Sequence, residues 1–330
     1  MSRVLVTGAN GFIGSHLVRK FISEGHDVSG LVRTTSDLSL IDNTNLSLVY
    51  GDITDRSSLA KSLEGTDILI HNAGLASDWG SLAAFRQVNV EGTRNVAEVA
   101  AEYGVHRIVY MSTTAVHGFN HTAPVCENDP VNPVFNYSIS KLEAENWLFG
   151  FAKKTDIEVS AVRPGNVFGP DDHTFIRKYI DGMVTGRIAY VNGGRSFTCP
   201  TYVGNLVDAV YLAAFNKEAA GEAFIVTDGL EITWKQFTET IAEKLGIRGP
   251  RISIPLGIGL AAAFFAENLY RLSGIKHAPL ITKYRMYNAG TNYHFSISKA
   301  EKVLGFSPGT GFEDAVDKTV SWYLQEHNRK

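Results

Sequence analysis

Tyr137-Ser138-Ile139-Ser140-Lys141 sets a phenol and an ammonium four residues apart, on one face of any helix that contains them. That pairing suits proton transfer. A free tyrosine titrates near ~10 and holds its proton too tightly for acid–base work at neutral pH, so a neighbouring positive charge is needed to lower it. Lys141 is placed to supply one. The spacing arises readily by chance, and its weight comes from a second feature, Ser112-Thr113-Thr114 at the end of the apolar run Arg107–Met111. If that run is a strand of a parallel sheet, the hydroxyls lie at the carboxyl edge, where ligands bind. One of them can then hold a carbonyl oxygen while Tyr137 gives or removes its proton.

A third feature says what such a pair would work beside. Thr7-Gly8-Ala9-Asn10-Gly11-Phe12-Ile13-Gly14 stands where an apolar run hands over to a helical period. Gly8 permits a tight turn, Gly11 lets backbone approach a pyrophosphate, and Gly14 lets the helix lie close on the sheet. The phosphates then meet unpaired N–H groups at a helix N-terminus. This predicts a nicotinamide dinucleotide, whose oxidised ring would be a further positive charge beside Tyr137. At the end of the second strand, Arg33-Thr34-Thr35-Ser36 stands where a carboxylate would select NAD. A guanidinium suits a 2′-phosphate, so NADP is favoured over NAD. Asp37 lies near enough to pull the other way. Asp52 and Ile53, after the third strand, are placed to flank the adenine.

The elements that must position these groups follow from periodicity. Val4–Thr7, Val28–Val32, Leu46–Tyr50, Ile68–Asn72, Arg107–Met111 and Glu158–Val162 read as strands, each a short apolar run with polar or glycine residues after it. Phe12–Glu24, Ser57–Leu63, Phe85–Tyr103 and Tyr137–Lys153 read as helices between them. The alternation predicts an α/β fold, a Rossmann-type doubly wound parallel sheet with a smaller C-terminal α/β substrate lobe. Residues 1–165 form the dinucleotide domain in this reading, with 187–215 returning to it, and residues 166–186 and 216–330 form the lobe. Trp234–Leu245 and Phe312–Tyr323 read as amphipathic helices of that lobe.

Composition narrows the field. The chain has 330 residues, 44% of them hydrophobic, and a formal charge of −3. That size buries a large core, and the charge gives no field to hold a nucleic acid. Cys126 and Cys199 stand far apart, so neither a disulfide framework nor a thiolate zinc site is expected, and the histidines show no metal-ligand spacing. The N-terminal apolar run is too short for a signal peptide, which together with the cysteine usage predicts a cytoplasmic protein.

Taken together these motifs resemble the extended short-chain dehydrogenase/reductases, over nearly the whole chain. The likeness is carried by Thr7–Gly14, Gly51-Asp52-Ile53-Thr54-Asp55, His71-Asn72-Ala73-Gly74 and Asn89-Val90-Glu91-Gly92-Thr93. It continues through Ser112-Thr113-Thr114, Tyr137 to Lys141, Arg163 to Pro170 and Thr201-Tyr202-Val203. The resemblance implies that Tyr137 is the acid–base residue, that Lys141 binds the nicotinamide ribose, and that Thr113, with Ser112 close behind, holds the substrate oxygen. It also implies cofactor contacts from Gly8, Gly11, Phe12, Ile13, Gly14, Arg33, Asp52, Ile53, Ala73, Pro164 and Val167, besides Tyr137 and Lys141. A homodimer through the helices Phe85–Tyr103 and Ser138–Lys153 is a further implication.

Two branches of that superfamily fit unequally. The nucleotide-sugar epimerases and dehydratases usually carry an arginine that clamps the substrate diphosphate shortly before their Tyr-Val. Here the stretch is Thr198-Cys199-Pro200-Thr201-Tyr202-Val203, with Arg195 as the nearest substitute, and His117 replaces a frequent tyrosine. The chain is more similar to the 3β-hydroxysteroid dehydrogenase and dihydroflavonol reductase-like branch. That similarity implies a small apolar substrate, with a secondary alcohol or ketone exchanging a hydride with nicotinamide. A dinucleotide-sensing protein without activity is a third reading, but it has no need of Thr113, Tyr137 and Lys141. The apolar stretch within 252–272 is too short to span a bilayer and is expected to be a core helix, a pocket roof or a peripheral membrane contact.

Overall fold

The apolar runs in the first half of the chain become strands laid side by side. The computed structural model describes residues 1–275 and 277–328. In chain order these are β1 (Arg3–Thr7), α1 (Phe12–Ser23), β2 (Asp27–Val32), β3 (Ser47–Tyr50), α2 (Ala60–Leu63), β4 (Ile68–His71), α3 (Leu82–Phe85) and α4 (Gly92–Glu102). Then come β5 (Arg107–Met111), α5 (Asn136–Ala152), β6 (Glu158–Pro164), β7 (Asn166–Phe168), α6 (Ile176–Val184), β8 (Tyr190–Val191), β9 (Pro200–Tyr202) and α7 (Val203–Phe215). The remainder is β10 (Ala223–Val226), α8 (Trp234–Lys244), β11 (Ser253–Ile254), α9 (Leu256–Leu272), α10 (Lys283–Gly290) and α11 (Phe312–Asn328).

Seven strands form one parallel sheet in the order β10-β6-β5-β4-β1-β2-β3. The order reverses between β1 and β4, which opens a crevice beyond their carboxyl ends. Alternation along each strand feeds the two helical layers. Val4, Val6, Ile70 and Val109 pack with Leu17, Val18 and Phe21 of α1 and with Leu206 and Val210 of α7. Leu5, Leu69, Ile108 and Tyr110 face the other way, onto Val96 and Ala100 of α4 and Ala144 and Leu148 of α5. The doubly wound α/β architecture expected from the sequence is therefore present.

The expected elements need three corrections. Residues 223–226, placed with the lobe, are the seventh strand: Phe224 pairs with Val162 and Ile225 with Arg163 at the sheet edge. The helix expected over Phe85–Tyr103 starts at Leu82, where the Ser81 hydroxyl caps it, and is broken by a wide π turn over Arg86–Glu91. Ser57–Leu63 is a 3-10 turn over Arg56–Ser58 followed by the single turn of α2. Outside this sheet lie two small parallel pairs, β7 with β9 and β8 with β11, and the packed helix pairs α8 with α11 and α9 with α10. Residues 276, 329 and 330 of the expected lobe lie outside the described residues.

Candidate active site

The glycine turn joins β1 to α1 at the order reversal. Gly8 adopts φ +66°, and its amide donates to Leu31 O at the end of β2 while Gly11 N donates to Gly8 O. A Cβ on Gly14 would lie 2.0 Å from Gly8 O, so only glycine lets the first turn of α1 pass so close to the strand end. Gly11 is exposed, and no side chain caps the helix N-terminus. Its leading N–H groups are thus free to meet phosphate oxygens, and the residues present fit a dinucleotide.

Across the crevice the end of β4 is fixed by a buried relay. Thr7 Oγ1 contacts His71 Nδ1 at 2.9 Å and accepts from Ala73 N at 3.0 Å, and His71 Nε2 contacts Thr93 Oγ1 at 3.0 Å. Burial first, and then the Lys141 charge, pulls His71 down to about 3, so it remains a neutral linker at physiological pH. The relay sets Ala73 over the Gly8 turn.

Arg33 is exposed beyond β2, beside the Asp52 carboxylate at the end of β3. Asp52 is held below the usual carboxylate range mainly by the Thr54 amide, with Arg33 contributing. Its Oδ1 accepts from Thr54 N and Oγ1, both at 2.8 Å. Ile53 is buried beneath Gly92, and its carbonyl accepts from Asn95 Nδ2. At the other end of the crevice, Pro164 closes β6, and Val167 sits partly exposed on β7 opposite Thr201.

Helix α5 carries Tyr137 and Lys141 to the carboxyl edge beside β5. Of the three hydroxyls after that strand, that of Thr113 is the one near enough to the Tyr137 phenol to oppose the rise in its pKa. Ser112 is buried without a partner, and Thr114 is engaged by Pro164 O at 2.9 Å and Tyr293 Oη at 2.7 Å. The structure thus selects Thr113 from the run. Lys141 Nζ lies 4.1 Å from the centroid of the Tyr110 ring. Phe119, Phe135, Tyr284 and Tyr287 form an aromatic wall, with Phe119 and Phe135 5.5 and 5.2 Å from Tyr284. Tyr284 is in turn close enough to feel charge on Tyr137.

The electrostatics differ from the simple expectation. Burial pushes the Tyr137 phenol up to about 12, the Thr113 hydrogen bond opposing the rise, and Lys141 is not among the groups that lower it. Burial likewise pulls Lys141 down to about 7, with the Glu145 charge opposing. A lysine that is partly neutral at pH 7 cannot by itself acidify its neighbour. Within this chain, then, the cost of desolvation exceeds the attraction that the four-residue spacing implied.

Two further residues shape the site. Asn89, on the π turn, accepts from Leu75 N at 2.7 Å and donates to Leu75 O at 3.1 Å and Ser140 Oγ at 2.9 Å. It thereby ties the loop after β4 to the turn of α5 that bears Tyr137 and Lys141. Glu145, one turn beyond Lys141, is buried in a two-pronged pair with Arg163, whose Nη1 donates to His117 Nε2 at 3.0 Å. Burial and then Arg163 bring His117 down to about 4. The sequence placed Asn89 in a motif and Glu145 four residues after Lys141, but neither was read as part of the site. Arg195 lines an open cleft of about 660 Å³ with Asn192, Ser196, Ser253 and Asn292.

The buried lysine yields a prediction. Lys141→Met removes a cation from an apolar setting and is expected to raise the unfolding temperature while it lowers turnover. Between the folded value of about 7 and the ordinary 10.5, the unfolded chain holds a proton that the folded chain has lost, so wild-type stability rises with pH across that window. The advantage of the variant should therefore be largest below pH 7 and shrink toward pH 10.5. Thermal unfolding of both proteins at pH 6.5 and 9.5, without added dinucleotide, checks the sign.

With this geometry in view, known proteins are informative. The 3-beta-hydroxysteroid dehydrogenase of Mycolicibacterium neoaurum is 29% identical, covering 98% of this chain and 92% of its own. The 4-hydroxy-2-methyl-3-oxo-4-farnesyl-3,4-dihydroquinoline-1-oxide ketoreductase of Stigmatella aurantiaca is also 29% identical, over 96% of this chain and 95% of its own. The crystal structure of gox2253 matches with a TM-score of 0.84 at 30% identity, covering 99% of both chains. The family model for the NAD dependent epimerase/dehydratase family matches residues 4–226, and the chain belongs to that family.

Proposed function

We propose that this protein is an NAD(P)-dependent oxidoreductase that interconverts a secondary alcohol and a ketone on an apolar, cyclic substrate. The observation that carries the reading is the aromatic wall of Phe119, Phe135, Tyr284 and Tyr287 set against Tyr137, because such a wall favours apolar rings over sugar hydroxyls. The names of the two relatives, a hydroxysteroid dehydrogenase and a farnesyl-quinoline ketoreductase, support the same substrate class.

When bound, the nicotinamide dinucleotide supplies or receives the hydride. In the reducing direction Thr113 donates a hydrogen bond to the substrate carbonyl oxygen, and Tyr137 gives that oxygen its Oη proton. In the oxidising direction Tyr137 takes the alcohol proton back. Lys141 would hold the nicotinamide ribose, with Asn89 and Ser140 fixing the helical turn on which it stands. Gly8, Gly11 and Gly14 would hold the pyrophosphate. The experiment is a turnover screen of ketosteroids, flavonoid-like ketones and UDP-sugars followed by nicotinamide absorbance. Conversion of a UDP-sugar with no net absorbance change, and no turnover of any ketone, would sink the proposal.

For the cofactor, we favour NADP on the strength of Arg33, exposed at the end of β2 where a 2′-phosphate would lie. A charge-assisted hydrogen bond contributes roughly 1.5–3 kcal/mol. Arg33→Ala should therefore weaken NADP at least about tenfold and leave NAD within about twofold, as read by calorimetry. Equal losses for the two cofactors would reject the assignment.

A nucleotide-sugar epimerase or dehydratase is the second reading. It is favoured by the open cleft that holds Arg195, Asn192 and Asn292, groups suited to a diphosphate and sugar hydroxyls.

A further inference from the structure

Helix α9 is turned inside out. The residues it buries are Gly259, Ala263 and Glu267, four apart on one face, with Glu267 Oε1 accepting from Lys283 N at 2.7 Å. A Cβ on Gly259 would meet Met286 Sδ at 2.6 Å, so small residues let α9 lie close on α10. The large apolar side chains point the other way: Ile258 is 63% exposed, Phe265 71%, Leu269 62% and Leu272 88%. At about 1.5 Å per residue this stripe runs about 21 Å along the helix. Leu280, in the loop before α10, is also 73% exposed. Water is a poor solvent for such a face, and isolated apolar residues do not line up in this way.

Charge identifies the occupant. Between residues 248 and 285 the sequence carries Arg248, Arg251, Arg271, Lys276, Lys283 and Arg285 against Glu267 alone, although the whole chain has a formal charge of −3. Glu267 is buried, and Arg285 is neutralised by Asp78 from the loop after β4. Arg251 is exposed, Arg271 lies 3.7 Å from Glu267 at the other end of α9, and the Lys283 ammonium stands 4.9 Å from the Phe264 ring centroid. A second copy of this face would bring cations against cations. A surface that is apolar within and anionic at its rim matches both properties.

We propose that α9 lies in the interfacial layer of an anionic lipid membrane, with Ile258, Phe265, Leu269 and Leu272 among the acyl chains and the flanking cations at the headgroups. The contact is peripheral, for among the described residues no helix is long and apolar enough to cross a membrane. Helix α10 lies between the docked helix and the site, with Tyr284 and Tyr287 in the aromatic wall, so the bilayer surface would stand one helix from Tyr137. The inference rests on exposure and charge, independently of the reaction proposed above.

The test is flotation of the full chain with vesicles of phosphatidylcholine alone and with phosphatidylglycerol added. One cation near such a surface contributes about fivefold in binding, so at least tenfold more protein should float on the anionic vesicles. The double variant Phe265→Ser, Leu269→Ser should stay at the bottom of the gradient with its unfolding temperature unchanged. Absence of flotation on the anionic vesicles, or equal flotation on both compositions, overturns the proposal. So does a dimer in light scattering that the same double variant dissociates, since a second copy would then cover the face.

Discussion

Replacing Tyr137 by phenylalanine is expected to lower kcat by about 10²–10⁴-fold, the range that a positioned acid–base group contributes, while dinucleotide affinity stays within about twofold. The loss is confined to one oxygen. Thr113 still presents its hydroxyl, and the ring still packs 6.3 Å from Phe85, because neither contact requires the phenolic oxygen to anchor the helix. The high intrinsic value of the phenol sharpens the expectation. With Tyr137 at about 12 in the chain alone, its proton is fully present at neutral pH, so the residue is ready as an acid for ketone reduction. As a base for alcohol oxidation it needs a positive charge brought beside it. Turnover on the best substrate of the screen, with fluorescence titration of the cofactor, gives both quantities, and full activity in the variant would remove Tyr137 from the mechanism.

Gly14→Ala should have the second large effect. A methyl group there would sit 2.0 Å from Gly8 O and 2.8 Å from Gly8 C, both backbone atoms that no rotamer change can clear. The start of α1 must move off the end of β1, which separates the helix N-terminus from the turn that aims phosphates at it. Overpacking of this kind costs roughly 1–3 kcal/mol, or about 1–4 °C in a chain of this size. Cofactor affinity should fall more than tenfold. Gly150→Ala is the control: Gly150 lies within α5 with nothing within 4 Å of an added Cβ, so alanine there should leave affinity alone and stabilise slightly. Calorimetric titration and thermal unfolding of the two variants separate a local clash from a general loss of glycine.

Six strands of the sheet could be read in the sequence because strands buried on both faces are continuous apolar runs, Ile68–His71 and Arg107–Met111 above all. The seventh could not. Ala223–Val226 is four residues long and lies in a stretch rich in glycine, and what makes it a strand is pairing with β6, some sixty residues earlier. Tyr137, Lys141 and Thr113 were legible through spacing and strand ends, and the structure brings the three together. Their charge states were not, since desolvation depends on neighbours such as Tyr110 and Glu145 that only the fold assembles. Asn89 stood within a quoted motif, but its role was hidden because its hydrogen bonds, to Leu75 and Ser140, join segments that only the fold brings together. The apolar character of α9 was plain, but its orientation was not, for hydropathy alone would have buried the phenylalanines instead of Gly259 and Ala263.

The extra residue in the π turn separates two halves of one helical rod. Each residue of an α-helix advances the azimuth by about 100°, so deleting one position within Arg86–Glu91 would make the rod regular and swing Leu82–Phe85 about a quarter of a revolution relative to Gly92–Glu102. The downstream segment is locked to the sheet by Val96 and Ala100, whereas the upstream one borders the substrate side through Phe85 and Tyr137. A phase break at this point uncouples the two, so a change at the rim need not rotate the segment packed on the sheet.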